Sequence, residues 1–335
     1  MLCALFITLS TMRLTSPVVS VGLDISKDKI DVHCMRQDRS GQLLIGKNSV
    51  KGISGIIKML KKQETATTVP CIIESTGDFH LLSACMITDA GFTVNVINPL
   101  ITKKYQRSSI RNTKTDPVDA KRLAEIGLLE DRLPRFTVNK EQITVKKLIA
   151  SIAKLETTIQ QLHTHVSGAK RTEKVLGLSI DLKETNKAIR CLQKQIKIFR
   201  VQITAAAPKE VLAISEVTKG LSKDSIAVVF GLMGDKLFQN RNQLTAFAGL
   251  DVSARQSGMW LGKQRISKRG NPYLRKVLYQ IAWGLKQHND RFKQYYQSLR
   301  LRKKHYTTCL IAVARKFLRF LFSFYWKPRL SPSIV

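Results

Sequence analysis

The chain has 335 residues, which at roughly 150 residues per domain allows about two domains with real cores and excludes a small disulfide-stapled scaffold. Hydrophobic residues at 44% and charged residues at 24% exclude collagen-like, mucin-like and wholly disordered chains. Charge is the unusual quantity: 56 Lys and Arg against 24 Asp and Glu leave +32, a field that seeks a polyanion, nucleic acid before an anionic membrane face.

The excess is uneven. Residues 252–335 hold 19 Lys and Arg against one acidic residue, Asp290. A basic face kept only for solubility mixes both signs, so this segment reads as a nucleic-acid surface. The six cysteines (Cys3, Cys34, Cys71, Cys85, Cys191 and Cys309) form no CxxC and no Cys/His cluster. Neither a zinc site nor a disulfide framework is expected, and the setting reads as a reducing cytoplasm. Residues 1–10 are apolar but lack a basic n-region and a small-residue cleavage site, so no signal peptide is expected. Residues 1–17 read as a tail, with the start open between Met1 and Met12.

Organised pattern begins with the β-branched run VVSVGLDI at 18–25, followed by strands at 29–35 and 43–46. Apolar residues at helical spacing (Ile53, Ile56, Ile57, Leu60) predict a helix over 52–62. A buried strand at 69–73, a helix at 79–90 ended by Gly91 and a strand at 92–97 stopped by Asn98-Pro99 come next. Asp116-Pro117 then opens a helix to about Leu128, since Asp caps well and Pro suits the first turn. Three strands in series and then alternating helix and strand predict a mixed α/β sheet with crossovers.

From 139 to 204 the period is helical throughout, with Gly168 and Gly177 as possible breaks. A two-helix antiparallel arm or coiled coil is expected, closed by Pro208. The last region holds short helices at 222–233 and 243–248, a Gly-rich stretch at 249–270 and helices from Pro272 onward. The apolar run 310–326 is interrupted by Arg315, Lys316 and Arg319, each costing about 2.5–3.5 kcal/mol at a bilayer centre. It predicts a packed helix, and no membrane partner is expected.

Asp24 ends the first strand, Glu74 ends the strand VPCIIE, and Asp116 and Asp119 stand three apart at a helix start. Strand ends meet at one sheet edge and an i, i+3 pair shares a helix face, so all four carboxylates can converge. Four hard oxygen donors suit Mg²⁺ or Mn²⁺, which would polarise a phosphodiester. The alternative makes each residue local: Asp116 an N-cap, Asp119 a partner of the helix dipole, Asp24 and Glu74 turn residues. The loop 103–114 carries Lys103, Lys104, Arg107, Arg111 and Lys114 around Tyr105, a pattern suited to a nucleic-acid backbone and an unstacked base. Tyr295, Tyr296 and Tyr306 interleave with RLRKKH but sit at a spacing that also serves packing.

The ordered series VGLDISKDKIDV, IESTG, NPLITKKYQRSSIRNTKTDPVDAKRLA, LTAFAGLDVSARQSG and RISKRGNPYLRKVLY resembles the DEDD transposases of the IS110 and IS1111 insertion sequences over residues 18–290. The resemblance implies an α/β RuvC-like, ribonuclease-H-like domain over 18–135, a coiled-coil arm over 136–210 and a mostly α C-terminal transposase domain over 211–335. It implies Asp24, Glu74, Asp116 and Asp119 as metal-holding catalytic carboxylates, and Ser257 of the QSG match as a nucleophile that forms a phosphoserine link in a composite site. A serine beside Gly258 among Arg255, Lys263, Arg265 and Lys268 can approach a phosphate closely while cations stabilise its charge. Arg269 and Arg275 extend that basic surface, and Ser267 in ISKRGN is the competing serine. The resemblance also implies DNA as substrate, a bridge RNA as guide, dimers assembling into a tetramer, and a prokaryotic cytoplasm near the nucleoid. Where the family carries a Pro-Gly-x-Gly turn, this chain reads AISEVTKGLSKDS, with Gly220 kept and Lys219 and Lys223 beside it. The rival readings are a RuvC-like nuclease or junction resolvase using metal-activated water, a non-catalytic basic nucleic-acid-binding protein, and an actin-like kinase.

Overall fold

The computed structural model describes residues 16–63, 65–75, 77–106, 116–130, 133–234, 236–253, 256–257, 260–261 and 265–330. Most of the expected tail lies outside these residues. Its last two members are tied down: the Arg36 guanidinium donates to the Ser16 carbonyl at 2.7 Å and the Gln37 N–H to the Pro17 carbonyl at 3.1 Å. By packing, the chain divides into two units, residues 1–138 and 139–335.

The first unit is built on one sheet. β1 (Val18–Ile25), β2 (Lys29–Arg36) and β3 (Gly41–Lys47) form an antiparallel meander. After α1 (Val50–Lys62), β4 (Pro70–Glu74) pairs parallel with β1. After α2 (His80–Asp89), β5 (Thr93–Ile97) pairs parallel with β4, giving the order β3-β2-β1-β4-β5. α1 and α2 cover one face, where Ile53, Ile56, Leu60, Ala84 and Ile87 pack against Leu23, Ile73 and Val94. The other face carries α3 (Pro99–Gln106) and α4 (Asp116–Leu129), with Leu123 and Ile126 of α4 on Ile72 and Ile97. Both faces of β1 are therefore covered, which is why its sequence is almost wholly apolar.

α3 corrects an expectation. Asn98-Pro99 ends the strand but also starts a helix, because Pro is pre-organised for the first helical position and the Asn98 side chain accepts from the Leu100 N–H at 2.9 Å. Lys103 and Lys104 thus stand on the last turn of a helix, where a loop is expected from the sequence.

Gly22 sets how α4 meets the sheet. A Cβ there would lie 2.0 Å from the Ala120 carbonyl oxygen and 2.4 Å from the Ala124 nitrogen, so only glycine lets the helix backbone rest on β1. A Cβ on Gly127 would lie 2.3 Å from the Ser20 hydroxyl. α4 therefore runs antiparallel to β1, with its N-terminal turn over the Asp24 end of the strand.

In the second unit α5 (Lys140–Leu176) runs through Gly168 without a break and ends at Gly177, whose φ of +66° supplies the left-handed residue that closes a helix. α6 (Lys183–Ala205) returns beside it. Sequence reasoning separates this arm from the C-terminal region, but the base of the pair shares a core with it. Val145, Ile149, Ile152, Ile196 and Ile203 join one apolar cluster with residues of α7 (Lys209–Val217), α8 (Lys223–Met233) and α9 (Arg241–Phe247). α7 and α8 flank the Gly220 turn.

The stretch 249–270, expected only as Gly-rich, holds two short antiparallel pairs. β6 (Val252–Ser253) pairs with β9 (Arg265–Ile266), and β7 (Gln256–Ser257) pairs with β8 (Trp260–Leu261). α10 (Pro272–His288), α11 (Asp290–Leu301) and α12 (Tyr306–Leu321) follow, and α12 widens into a π-helical turn, Phe322–Trp326. Cys309, Leu310, Val313, Phe317 and Trp326 are buried, as a packed helix requires. No described helix is long and apolar enough to cross a membrane.

Candidate active site

The strand registers place three acidic residues side by side. Asp24 pairs with Asp31 across the β1–β2 hairpin, and Leu23 pairs with Ile73 in the parallel ladder, so Asp24 and Glu74 are the next residues along their two strands. Alternation puts Asp24 on the same face as Gly22, the face covered by α4. Asp116 and Asp119 lie in the first turn of that helix, where the dipole favours negative charge. The four predicted carboxylates are therefore gathered around Asp24 by two strand ends and one helix N-terminus.

Electrostatics records the crowding. Burial first, and then the negative charges of Asp119, Asp116, Glu74 and Asp31, push the Asp24 carboxyl from 3.8 up to about 6. The other members are held by protein partners. The Thr102 hydroxyl donates to Glu74 Oε2 at 2.6 Å, and the Arg122 guanidinium donates to Asp119 Oδ1 at 2.9 Å. Lys29 Nζ stands 2.8 Å from Oδ1 of the buried Asp31 and 3.9 Å from Asp116 Oδ2.

Asp31, Lys29, Thr102 and Arg122 were not found by sequence reasoning. Asp31 had a signal in the hairpin itself: folding 18–25 against 29–36 about the turn sets Asp31 opposite Asp24. Thr102 had none while α3 was unrecognised.

The donor set fits a hard divalent cation in its chemistry: all oxygen, anionic, and carrying a mutual repulsion in Asp24 that such an ion would relieve. Among the described residues no three of these groups stand in a closed metal-ligating arrangement. Thr102, Arg122 and Lys29 now face the oxygens an ion would take.

In the second unit the backbone of Ser257 lies in β7, paired with Trp260. Ser267 is engaged: its hydroxyl donates to the Asp251 carboxylate, its N–H donates to the Asp251 carbonyl at 2.9 Å, and the Lys268 N–H donates to the Gly249 carbonyl at 3.1 Å. These bonds close the loop below the β6–β9 pair. The Arg275 guanidinium donates to the Gly270 carbonyl, so it braces the same loop. Arg265, Lys268 and Arg269 are exposed, as are Lys103 and Lys104 on α3. Arg107, Arg111, Lys114, Arg255 and Lys263 lie outside the described residues.

A family model described as a transposase, of the IS110 DEDD type, matches residues 21–170, and one described as "Transposase IS116/IS110/IS902 family" matches residues 214–297. The chain is 25% identical over 311 residues to the pilin gene-inverting protein of Moraxella bovis, covering 89% of this chain and 92% of that one. The same figures hold for the pilin gene-inverting protein of Moraxella lacunata.

Proposed function

The chain belongs to the IS110 family of transposases, and we propose that it cuts and rejoins DNA strands through the carboxylates around Asp24 and the hydroxyl of Ser257. The gathering of Asp24, Glu74, Asp116 and Asp119 at one end of the sheet carries this reading. The order β3-β2-β1-β4-β5, antiparallel and then parallel, supports a ribonuclease-H-like domain of the RuvC type. A gene-inverting relative supports rejoining as well as cutting, because an inverted segment must be sealed at both ends.

Asp24, Glu74, Asp116 and Asp119 would hold Mg²⁺ or Mn²⁺. The bound ion supplies Lewis-acid polarisation of the phosphodiester and neutralisation of developing charge. The Asp24 carboxyl, raised to about 6 by burial and its acidic neighbours, would be relieved of that repulsion by a cation. Thr102 and Arg122 orient Glu74 and Asp119.

At Ser257 the Oγ–P bond forms as one bridging P–O bond breaks. The hydroxyl proton ends on the departing sugar oxygen, and rejoining reverses the exchange. A guide RNA and self-association complete the proposal. The exposed apolar residues near the arm's far end, Val175 at 74% exposure and Leu176 at 63%, support contact with a second copy.

The test incubates wild type, Asp24→Asn, Ser257→Ala and Ser267→Ala with labelled DNA, Mg²⁺ and the RNA transcribed beside the coding region, and looks for protein-linked DNA on a denaturing gel. The expected result is an adduct in wild type and Ser267→Ala, lost in Ser257→Ala and Asp24→Asn. Free cleaved ends from both serine variants would leave a resolvase using activated water. An adduct lost only in Ser267→Ala would move the nucleophile to that residue.

A further inference from the structure

The helices α11 and α12 enclose two adjoining cavities of about 270 and 380 Å³ that share Lys316 and Arg319 in their walls. Arg315 lines the first and Arg291 the second, so four cations meet in one groove. Among the described residues no carboxylate stands within ion-pair distance of any of the four, whereas Arg122, Arg200, Lys276 and Arg329 each have one. The Arg315 Nε is buried with no hydrogen-bond partner among the described residues, a state that a native guanidinium rarely keeps without a ligand. Lys316 Nζ is held 4.2 Å over the Tyr295 ring and 5.8 Å over that of Phe292. Burial, and then the positive charge of Arg291, lowers its pKa. Like charges are thus packed together here as carboxylates are around Asp24, with the sign reversed.

We propose that this groove seats the phosphodiester backbone of a nucleic acid, at a site separate from the basic loop around Ser257. Three guanidiniums, those of Arg291, Arg315 and Arg319, offer the planar forks that grip phosphate oxygens in pairs, and the Lys316 ammonium adds a point charge. The groove takes backbone and not bases, because the Tyr295 face that a base would stack on is already covered by Lys316. The inference rests on the reading that nucleic acid is the substrate.

Fluorescence anisotropy on the full-length chain tests it, with labelled single-stranded RNA, single-stranded DNA and duplex DNA as separate probes. The triple variant Arg315→Gln/Lys316→Gln/Arg319→Gln should weaken the best of these by about tenfold or more and lower the slope of log affinity against log salt by about 2. The exposed α1 triple Lys58→Gln/Lys61→Gln/Lys62→Gln, with the same loss of charge, should cost no more than about twofold. Arg319→Glu, at an exposed position of α12, should alone weaken binding more than the α1 triple does. A peptide nucleic acid of the same bases, lacking phosphate, should not compete. Groove variants that bind like the α1 control, or full competition by the phosphate-free strand or by polyglutamate, would overturn the groove while wild-type binding left the functional reading standing. Wild type that binds none of the probes would overturn both.

Discussion

The two units concentrate opposite charges by different means. In the first, acidic residues come from separate strands and a helix N-terminus and meet because the sheet brings them together, so Asp24 carries the strain of its neighbours. In the second, cations come from two adjacent helices of a segment nearly empty of acid, and the packing of α11 on α12 presses them together. The first arrangement is the one proposed to hold a divalent cation, and the second the one proposed to seat a chain of phosphates. The difference teaches that a net charge of +32 conceals local opposites: a strongly basic chain also gathers carboxylates at one end of its sheet.

The comparison breaks most visibly at Asp24. Asp24→Asn or Glu74→Gln should abolish strand cleavage while affinity for nucleic acid shifts by no more than about twofold, because the basic surface is intact. A gel and a binding curve on the same preparation check both halves. Parallel loss of binding would show that the acidic site is structural.

Gly22→Ala comes next. The added methyl must push α4 off β1, with an expected destabilisation of about 3 kcal/mol by chemical denaturation and loss of cleavage as Asp116 and Asp119 leave Asp24. A variant as stable as wild type would mean that α4 does not bear on the strand backbone.

The smallest effect sharpens the acidic half. The Asp24 carboxyl stands at about 6 in the fold against 3.8 ordinarily, so the folded chain holds this proton more tightly than the unfolded one. Without metal, that stabilisation is present below about pH 4 and is lost as pH rises through about 6. Asp24→Asn should therefore be more stable than wild type at pH 7, by on the order of 1 kcal/mol once solvent screening of a half-buried group is allowed for, and should lose that advantage near pH 4. Equal pH profiles by thermal melting would contradict the crowding.

Much of the first unit was legible because its strands are short apolar runs ended by chemistry: VVSVGLDI stops at Asp24 and PCIIE at Glu74, and a strand end is where a sheet exposes side chains. Asp31 stayed hidden because it lies inside a strand and only the hairpin register brings it to Asp24. α3 is illegible in the sequence because Pro99 reads as the end of a strand, although the same ring starts a helix. Gly168 marked no break because a single glycine costs a helix of this length about 1 kcal/mol, which its neighbours offset, whereas Gly177 adopts the backbone that ends one. The groove was the least legible feature. Arg315, Lys316 and Arg319 served in the sequence only to argue against a membrane span, and nothing in a linear pattern tells which helix they will face.

Metal uptake tests the central claim most directly. Titration calorimetry of Mn²⁺ or Mg²⁺ into the metal-free chain near pH 6, repeated in buffers of different ionisation heat, reads both binding and proton release. The account predicts that wild type binds the cation and releases a proton as the Asp24 carboxyl ionises, and that Asp24→Asn binds far more weakly and releases none. Identical titrations for the two proteins would contradict it.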